Sequence, residues 1–366
     1  MADTNGRRNP GNPTGWRWLG VFWLCVVSLL GTGAGVVQWL GPPAKSPPKL
    51  AHGAAPPART GHSGHETPVV GVAAHTVPLT KVTAGRATPG PLPDPDPSLQ
   101  EPAGDGLTGQ LPRIAADGRT AMQIYAAGFD HSSRRPRGGV LLAGIGMNEA
   151  ESDTAIRTLP GAISLAVSPY SRAPGRLLST ARAHGHEYLI ALPLEPVGFP
   201  LNDPGPETLL TSAAAATNTR NLRWALSRIE GYAGATGIVG TMRGERLAAM
   251  VDQMDAVLSE LSERGLMYID PRAERGPVAK TWGRHVDLIV DEVPGREAID
   301  AKLAELEQSA KDHGSALGLI MLPTPVAVAR LAAWATGLTD RGLALAPASA
   351  LASAPADTPV KLSGRE

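Results

Sequence analysis

The feature that most constrains the fold is a regular alternation of short apolar runs with helical stretches in the carboxyl-terminal part of the chain. The runs are too short for buried helices and read as buried strands. They lie at residues 137–146, 162–167, 187–192, 236–239, 266–269, 286–290, 316–321 and 343–346. Because such alternation builds parallel sheets, the sequence predicts an α/β fold, a parallel barrel of seven or eight β/α units related to the TIM barrel. Residues 139–143 are expected in its first strand and residues 343–346 in its last; an open doubly wound sheet is the alternative.

Helical periodicity is clearest in two of the stretches between the runs. Residues 149–158 are predicted as one helix, and residues 244–264 as another that ends at a cationic turn and Gly265. In the second helix an apolar stripe recurs at helical spacing and is expected to face the core. The stripe consists of Leu247, Met250, Met254, Leu258 and Leu261.

The apolar run 187–192 is followed by a proline-rich segment, residues 193–206, with five prolines. Proline fixes φ and removes a backbone donor, so this segment neither extends a sheet nor begins a helix. It is expected to form an ordered loop over a strand end that shapes the mouth of a site. A surface excursion without function is the alternative.

The amino terminus predicts membrane attachment. Residues 16–40 are mostly apolar and long enough to cross a bilayer as a helix. Arg7, Arg8 and Arg17 lie at its amino-terminal side, which places residues 1–15 in the cytoplasm and the globular part on the periplasmic side of the cytoplasmic membrane. A cleaved signal peptide is the alternative. The single cysteine, Cys25, lies in this stretch, so the globular part has no disulfide framework.

Composition divides the remainder of the chain. Residues 41–110 are rich in proline, glycine, alanine and threonine and are predicted as a linker. A lead-in segment, residues 111–136, precedes the barrel at 137–353, and residues 354–366 form a tail. With Lys+Arg 34 against Asp+Glu 34, the net charge of +0 gives no electrostatic footprint for nucleic acid.

Five stretches of the chain resemble a known family. Together they are similar to the divergent polysaccharide deacetylases, relatives of metal-dependent carbohydrate esterases whose fold is a distorted (β/α)7 barrel. The stretches are LPRIAADGRTAMQIYA (111–126), SLAVSPYSR (164–172), GHEYLIALPLEP (185–196), NDPGPETLLTS (202–212) and RGLMYIDPR (264–272).

The resemblance implies a mechanism whose residues are missing here. In the related deacetylases an aspartate pair at the end of the first strand, together with histidines, holds a metal whose bound water attacks an acetyl carbonyl. The pair falls on Ala143 and Gly144, and the third-strand histidine falls on Ala191. The two later histidine motifs fall within 237–243 and 320–325, neither of which contains histidine. The chain is therefore expected to be a pseudoenzyme with no catalytic residue, no metal ligand and no cofactor.

Polar residues remain at family-matching positions near the strand ends. Glu195, Asp270 and Arg272 are expected to face the barrel mouth and to bind sugar hydroxyl groups. The alternative is an ion pair between Asp270 and Arg272, with Glu195 capping backbone amides. His186 is expected to be a hydrogen-bonded turn residue.

Two further groups are expected to lie outside a site. His285 and His313 are predicted to precede strands, at the end of the barrel opposite the mouth. Asp287 and Asp291 flank a short strand and are expected to lie too far apart to share one metal, with Glu292 beside them.

These features predict a membrane-anchored cell-envelope protein that binds glycan or an envelope protein without catalysis. Two alternatives remain open. One is an active carbohydrate deacetylase that removes N- or O-acetyl groups with a rebuilt site, and the other is a structural scaffold for another membrane protein.

Overall fold

A computed structural model describes residues 86–273 and 278–355 of the chain. All of these residues belong to one compact unit, Thr76–Glu366. The predicted membrane span at 16–40, residues 41–85 of the predicted linker and most of the tail lie outside the described residues. No helix within the described ranges combines the length and the apolar character needed to cross a membrane.

Residues 86–110, which composition assigns to the linker, are folded. A 3-10 helix, Pro97–Leu99, leads into an antiparallel pair formed by β1 (Gln100–Pro102) and β2 (Gln110–Pro112). Leu92 and Leu99 are buried, at 7% and 1% exposure, because they pack their side chains against the domain. The linker prediction is therefore wrong for this segment: a few leucines among many prolines and glycines supply enough apolar surface for docking.

The parallel sheet nearly closes into the predicted barrel. The strands are β3 (Arg137–Ile145), β4 (Ser164–Val167), β5 (Tyr188–Ala191), β6 (Gly234–Thr236), β7 (Met267–Ala273), β8 (Gly283–Val286), β9 (Leu288–Ile289), β10 (Ser315–Ile320) and β11 (Ala344–Leu345). The order in the sheet is β8-β7-β6-β5-β4-β3-β10-β9, and every pairing is parallel. Asp287 alone separates β8 from β9, which pair with β7 and β10 at the two ends of that order, so the barrel prediction is confirmed.

Helices alternate with these strands. The helices are α1 (Ala121–Tyr125), α2 (Glu149–Thr158), α3 (Pro174–Ala183), α4 (Ala215–Leu226), α5 (Glu245–Ala248), α6 (Val251–Glu263), α7 (Arg296–His313), α8 (Pro325–Thr336) and α9 (Ala348–Leu351). The bounds of α2 agree with the predicted helix, and the Asn148 side chain caps it by accepting hydrogen bonds from the N–H groups of Ala150 and Glu151.

Several predicted elements have different bounds. The run 236–239 leaves the sheet after Thr236, because Val239 turns back to pair with Met242. The last predicted strand, 343–346, is not the last barrel strand: β11 pairs only with Arg137 and Gly138 at the start of β3. The last barrel strand along the chain is instead β10.

The predicted helix 244–264 is two helices, α5 and α6. The chain breaks at Met250, which has extended backbone and is 47% exposed, so the prediction that it belongs to the buried stripe is wrong. The other four members of the stripe are buried.

The amino-terminal end of the barrel is filled by a buried polar cluster. Glu187 is fully buried and accepts hydrogen bonds from the Ala127 N–H, the Ser164 hydroxyl, and both the N–H and the hydroxyl of Ser349 on α9. Beside it, both ring nitrogens of His186 contact backbone carbonyl oxygens, as expected of a hydrogen-bonded turn residue. With this end filled, the opposite end of the barrel remains for a site.

Candidate ligand-binding site

An open cleft of about 510 Å³ lies at the carboxyl ends of β3, β4 and β6. Its walls come from the loops that follow these strands and from the proline-rich segment, which contributes Asp203 and Pro204. The segment thus lies where the sequence predicted, at the mouth of a cavity. The volume is within the range of small-ligand sites.

The loop after β4 supplies hydroxyl groups to the cleft. Ser168 and Ser171 are 5% and 8% exposed, and the Ser168 N–H donates to the Ile145 carbonyl, which joins the ends of β4 and β3. Gly146 has φ +84, and a Cβ there would lie 2.7 Å from Ser171 Oγ. Glycine at this position therefore lets the serine loop approach β3 closely.

Tyr170, in the same loop, supports one wall. Its ring packs against Trp224, with centroids 5.1 Å apart, and the proline-rich segment passes so close that a Cβ at Gly205 would lie 2.4 Å from the tyrosine oxygen. Burial raises the pKa of Tyr170 to about 12, so its hydroxyl stays protonated at neutral pH.

Charged and apolar side chains complete the lining. Glu149 is paired with Arg176 at 2.6 Å, and Asp203 accepts the Gly205 N–H at 2.9 Å. Arg172 is exposed in the lining. The apolar lining residues include Met147, Val239 and Met242.

Glu195 is used inside the protein. One carboxylate oxygen lies 3.0 Å from the Arg246 guanidinium, and the other accepts the Thr211 N–H, with the residue only 3% exposed. Glu195 thereby ties the proline-rich segment to α5, and it is not among the residues that line the cleft. Binding of a ligand by Glu195 stays a prediction.

Asp270 and Arg272 form the ion pair that was the alternative interpretation. The guanidinium of Arg272 donates to both carboxylate oxygens of Asp270, and the shortest of these contacts is 2.7 Å. The backbone N–H of Arg272 donates to the same carboxylate. Asp270 is 2% exposed. Neither residue lines the cleft, so their binding of sugar hydroxyl groups also stays a prediction.

His285 lies within β8 rather than before it, so its predicted position is wrong. It pairs in register with Asp270, and its Nδ1 lies 3.6 Å from the Asp270 carboxylate. The predicted run 286–290 began too late to include it. His313 ends α7, as the sequence suggested for a residue that precedes a strand.

Asp287 and Asp291 bind backbone N–H groups at different positions, Asp287 within β10 and Asp291 in the loop that follows it. The carboxylate of Asp287 accepts the Leu317 N–H, whereas that of Asp291 accepts the N–H groups of Met321 and Leu322. Burial raises the pKa of Asp291 above its ordinary value. Both carboxylates therefore anchor backbone rather than converge.

The residues at the barrel axis do not fit a divalent ion of the kind the resemblance implies. Ala143 and Ala191 are buried and carry no donor atom. Gly144 has φ +74, and a Cβ there would lie 3.0 Å from Leu322 Cδ2 and 3.0 Å from Pro323 Cδ. Apolar atoms thus fill the space beside the end of β3. Within 86–273 and 278–355, no three His, Cys, Asp or Glu side chains come together as a metal site would require.

Sequence reasoning did not assign the cleft residues to a site. Ser168, Tyr170, Ser171 and Arg172 served only as part of the family resemblance. The signal that points to them is their position directly after a predicted strand, at the end where parallel barrels carry their sites.

The fold and the cleft define a parallel α/β barrel protein whose open face is formed by the loops after its strands. The family model of the divergent polysaccharide deacetylases matches residues 140–352, and the chain therefore belongs to that family. A crystal structure of an uncharacterized protein from Agrobacterium tumefaciens C58 is similar, with a TM-score of 0.60 and 29% sequence identity over 66% of this chain and 99% of that chain. No curated protein matches the chain significantly.

Proposed function

We propose that this protein is a non-catalytic member of the divergent polysaccharide deacetylases that binds glycan in the cell envelope. The observation that carries the proposal is the filled space at Gly144, where Leu322 and Pro323 take the place of a metal-binding side chain. Without ligands at Ala143, Gly144 and Ala191, the barrel has no group at these positions that activates water.

Binding without catalysis is supported by the cleft beside this filled space. The cleft remains open and presents hydroxyl, charged and apolar groups together. A site for a sugar requires this mixture, because hydroxyl groups need hydrogen-bond partners while the ring carbons need apolar contact.

Acetate release and binding, measured on the same full chain in mild detergent, test this proposal. With acetylated chitin oligomers and added Zn²⁺, we expect no acetate above the buffer rate, whereas isothermal titration with envelope glycan fragments should show saturable binding. Metal-dependent acetate release would refute the non-catalytic role. Absence of binding to every glycan would refute the binding role.

We also propose that residues 16–40 anchor the chain in the cytoplasmic membrane, with the barrel on the periplasmic side. The support is the apolar length of this stretch and the arginines that precede it. A reporter enzyme that works only in the cytoplasm, fused after Glu366, should be inactive. An active reporter would contradict this orientation.

A further inference from the structure

We propose that the cleft over β3, β4 and β6 binds a saccharide that carries a carboxylate, and that Arg172 recognises the carboxylate. This inference rests on the proposed function, since it names the ligand class and the binding residues of a glycan-binding protein. It also moves the ligand away from the barrel axis, towards the loop after β4.

The ligand is placed beside the barrel axis because the space at the axis is filled. Leu322 and Pro323 occupy the space beside Gly144, and the loop that holds them is fixed by the Asp291 carboxylate through the Met321 and Leu322 N–H groups. The open volume of about 510 Å³ lies to one side, against Gly146 at the end of β3. A ligand therefore has room beside the axis rather than on it.

The loop after β4 offers unused hydrogen-bonding capacity in the cleft. Ser168 Oγ accepts the Tyr170 N–H, which leaves its own hydroxyl proton available to an acceptor. Ser171 Oγ makes no hydrogen bond to another described residue, although the side chain lies in the lining. A buried or half-buried hydroxyl gains most from a ligand that satisfies it, so these serines favour a hydroxyl-rich ligand.

One guanidinium of the lining is available to a carboxylate. Of the two carboxylates in the lining, Glu149 is paired with Arg176 at 2.6 Å, whereas Asp203 accepts the Gly205 N–H and keeps its negative charge. Arg172 has no carboxylate partner among the described residues. A guanidinium binds a carboxylate with two parallel hydrogen bonds, which gives both strength and orientation.

Three apolar residues of the cleft lining suit the carbon face of a sugar ring. They are Met147, Val239 and Met242, and Met147 is 53% exposed. The thioether side chains of methionine adapt their shape to a ligand and make apolar contacts. The lining thus combines apolar side chains with serine hydroxyls and the Arg172 guanidinium.

The test compares a carboxylate-bearing oligosaccharide with its neutral ester. Isothermal titration of the full chain in mild detergent would use oligogalacturonate, the same oligomer as its methyl ester, and a chitin oligomer. We expect oligogalacturonate to bind most tightly, and Arg172→Ala to weaken it about tenfold or more, because a charge-assisted contact is lost. Arg172→Lys should recover part of the loss, since it keeps the charge but not the fork.

Arg134→Ala is the matched control, because Arg134 is an exposed arginine just before β3, at the opposite end of the barrel. It should bind like the unmodified chain, and all variants should unfold at the same denaturant concentration. Equal binding of acid and ester, or unchanged binding by Arg172→Ala, would overturn the carboxylate assignment while the glycan-binding function stands. Failure of all three oligomers to bind would overturn the carboxylate assignment, and failure of the envelope glycan fragments as well would overturn both proposals.

Discussion

Gly144 shows how one residue position decides what the barrel axis holds. Its φ of +74 lies in the left-handed region, and three atoms of the loop after β10 stand within 3.1 Å of the place where a Cβ would lie. An acidic side chain at this position would need both a strained backbone and a different loop. Glycine at this position and the close packing of Leu322 and Pro323 beside it therefore belong together.

Replacing Gly144 by alanine should test this crowding. The variant should lose about 2–4 kcal/mol of unfolding free energy, from left-handed backbone strain plus overpacking. Gly118→Ala is the control, because Gly118 has φ +84 with nothing within 4 Å of its Cβ position, so only the strain applies. Urea denaturation measures the unfolding free energy of both variants. Equal losses would mean that the loop after β10 moves aside without an energetic cost.

At this scale the sequence indicates positions better than contacts. The family motifs place the expected metal ligands at Ala143, Gly144 and Ala191, and their replacement stays a prediction of the resemblance. The pairing of Asp270 with Arg272 was foreseen only as an alternative, and the position of Arg172 in the cleft lining was not foreseen. Side-chain partners depend on which loops meet in space, and residue spacing along one strand does not specify that.

Among the structural elements, β5 is held at its amino-terminal end by a carboxylate. Glu187 connects β5 to β4 through Ser164, to the lead-in segment through the Ala127 N–H, and to α9 through Ser349. One buried side chain thus joins four elements. Because each of its partners is a donor, the site requires a group that only accepts hydrogen bonds.

Glu187→Gln should therefore destabilise the domain by about 2–4 kcal/mol, since an amide NH₂ would face donors and leave them unsatisfied. Glu263→Gln is the matched control, because Glu263 is exposed at the end of α6, and it should change stability by less than about 0.5 kcal/mol. Chemical denaturation of both variants measures the difference. A tolerated Glu187→Gln would mean that the cluster does not depend on the carboxylate.

The loop after β10 is held by Asp291, whose pKa is raised because burial outweighs the donated N–H groups of Met321 and Leu322. The folded state thus binds the proton more tightly than the unfolded state, and protonation favours folding. The stabilising contribution of this group is greatest below pH 3.8, its ordinary pKa, and falls as the pH rises through the raised value.

Asp291→Asn should remove this pH dependence, because asparagine keeps one acceptor oxygen without titrating. The stability of the variant relative to the unmodified chain should increase from about pH 4 to pH 7. Asp340→Asn, at an exposed aspartate after α8, is the control and should show no such trend. Denaturant midpoints across this range measure the effect, and parallel curves for Asp291→Asn would contradict it.

Element types were more predictable than element ends. The rhythm of buried runs specified a parallel barrel because each run must be covered by a helix. The break at Met250 was missed, since the apolar spacing continues through it while the backbone does not. The role of residues 343–346 was missed for a related reason: an apolar run predicts burial in a sheet but not the strand with which it pairs.

At the scale of the whole molecule, the folded domain begins earlier than composition indicates. Leu92 N–H donates to the carbonyl of Arg182 in the last turn of α3, and the N–H of Asp96 donates to the Tyr125 hydroxyl at 2.7 Å. Leu99 is buried. Residues 86–110 thereby bind the lead-in helix α1 and the end of α3 to one another.

A chain that starts at Leu111 should accordingly be less stable than one that starts at Arg86. Loss of the buried Leu92 and Leu99 side chains alone should cost about 3–6 kcal/mol, at roughly 1.5–3 kcal/mol for each leucine. The midpoint of urea unfolding of the two chains measures this difference. If the chain from Leu111 unfolded at the same midpoint, residues 86–110 would be a linker after all. These values take a fully extended chain as the unfolded state, which overstates the apolar area that folding removes from water. A loss in the lower part of the range is therefore expected.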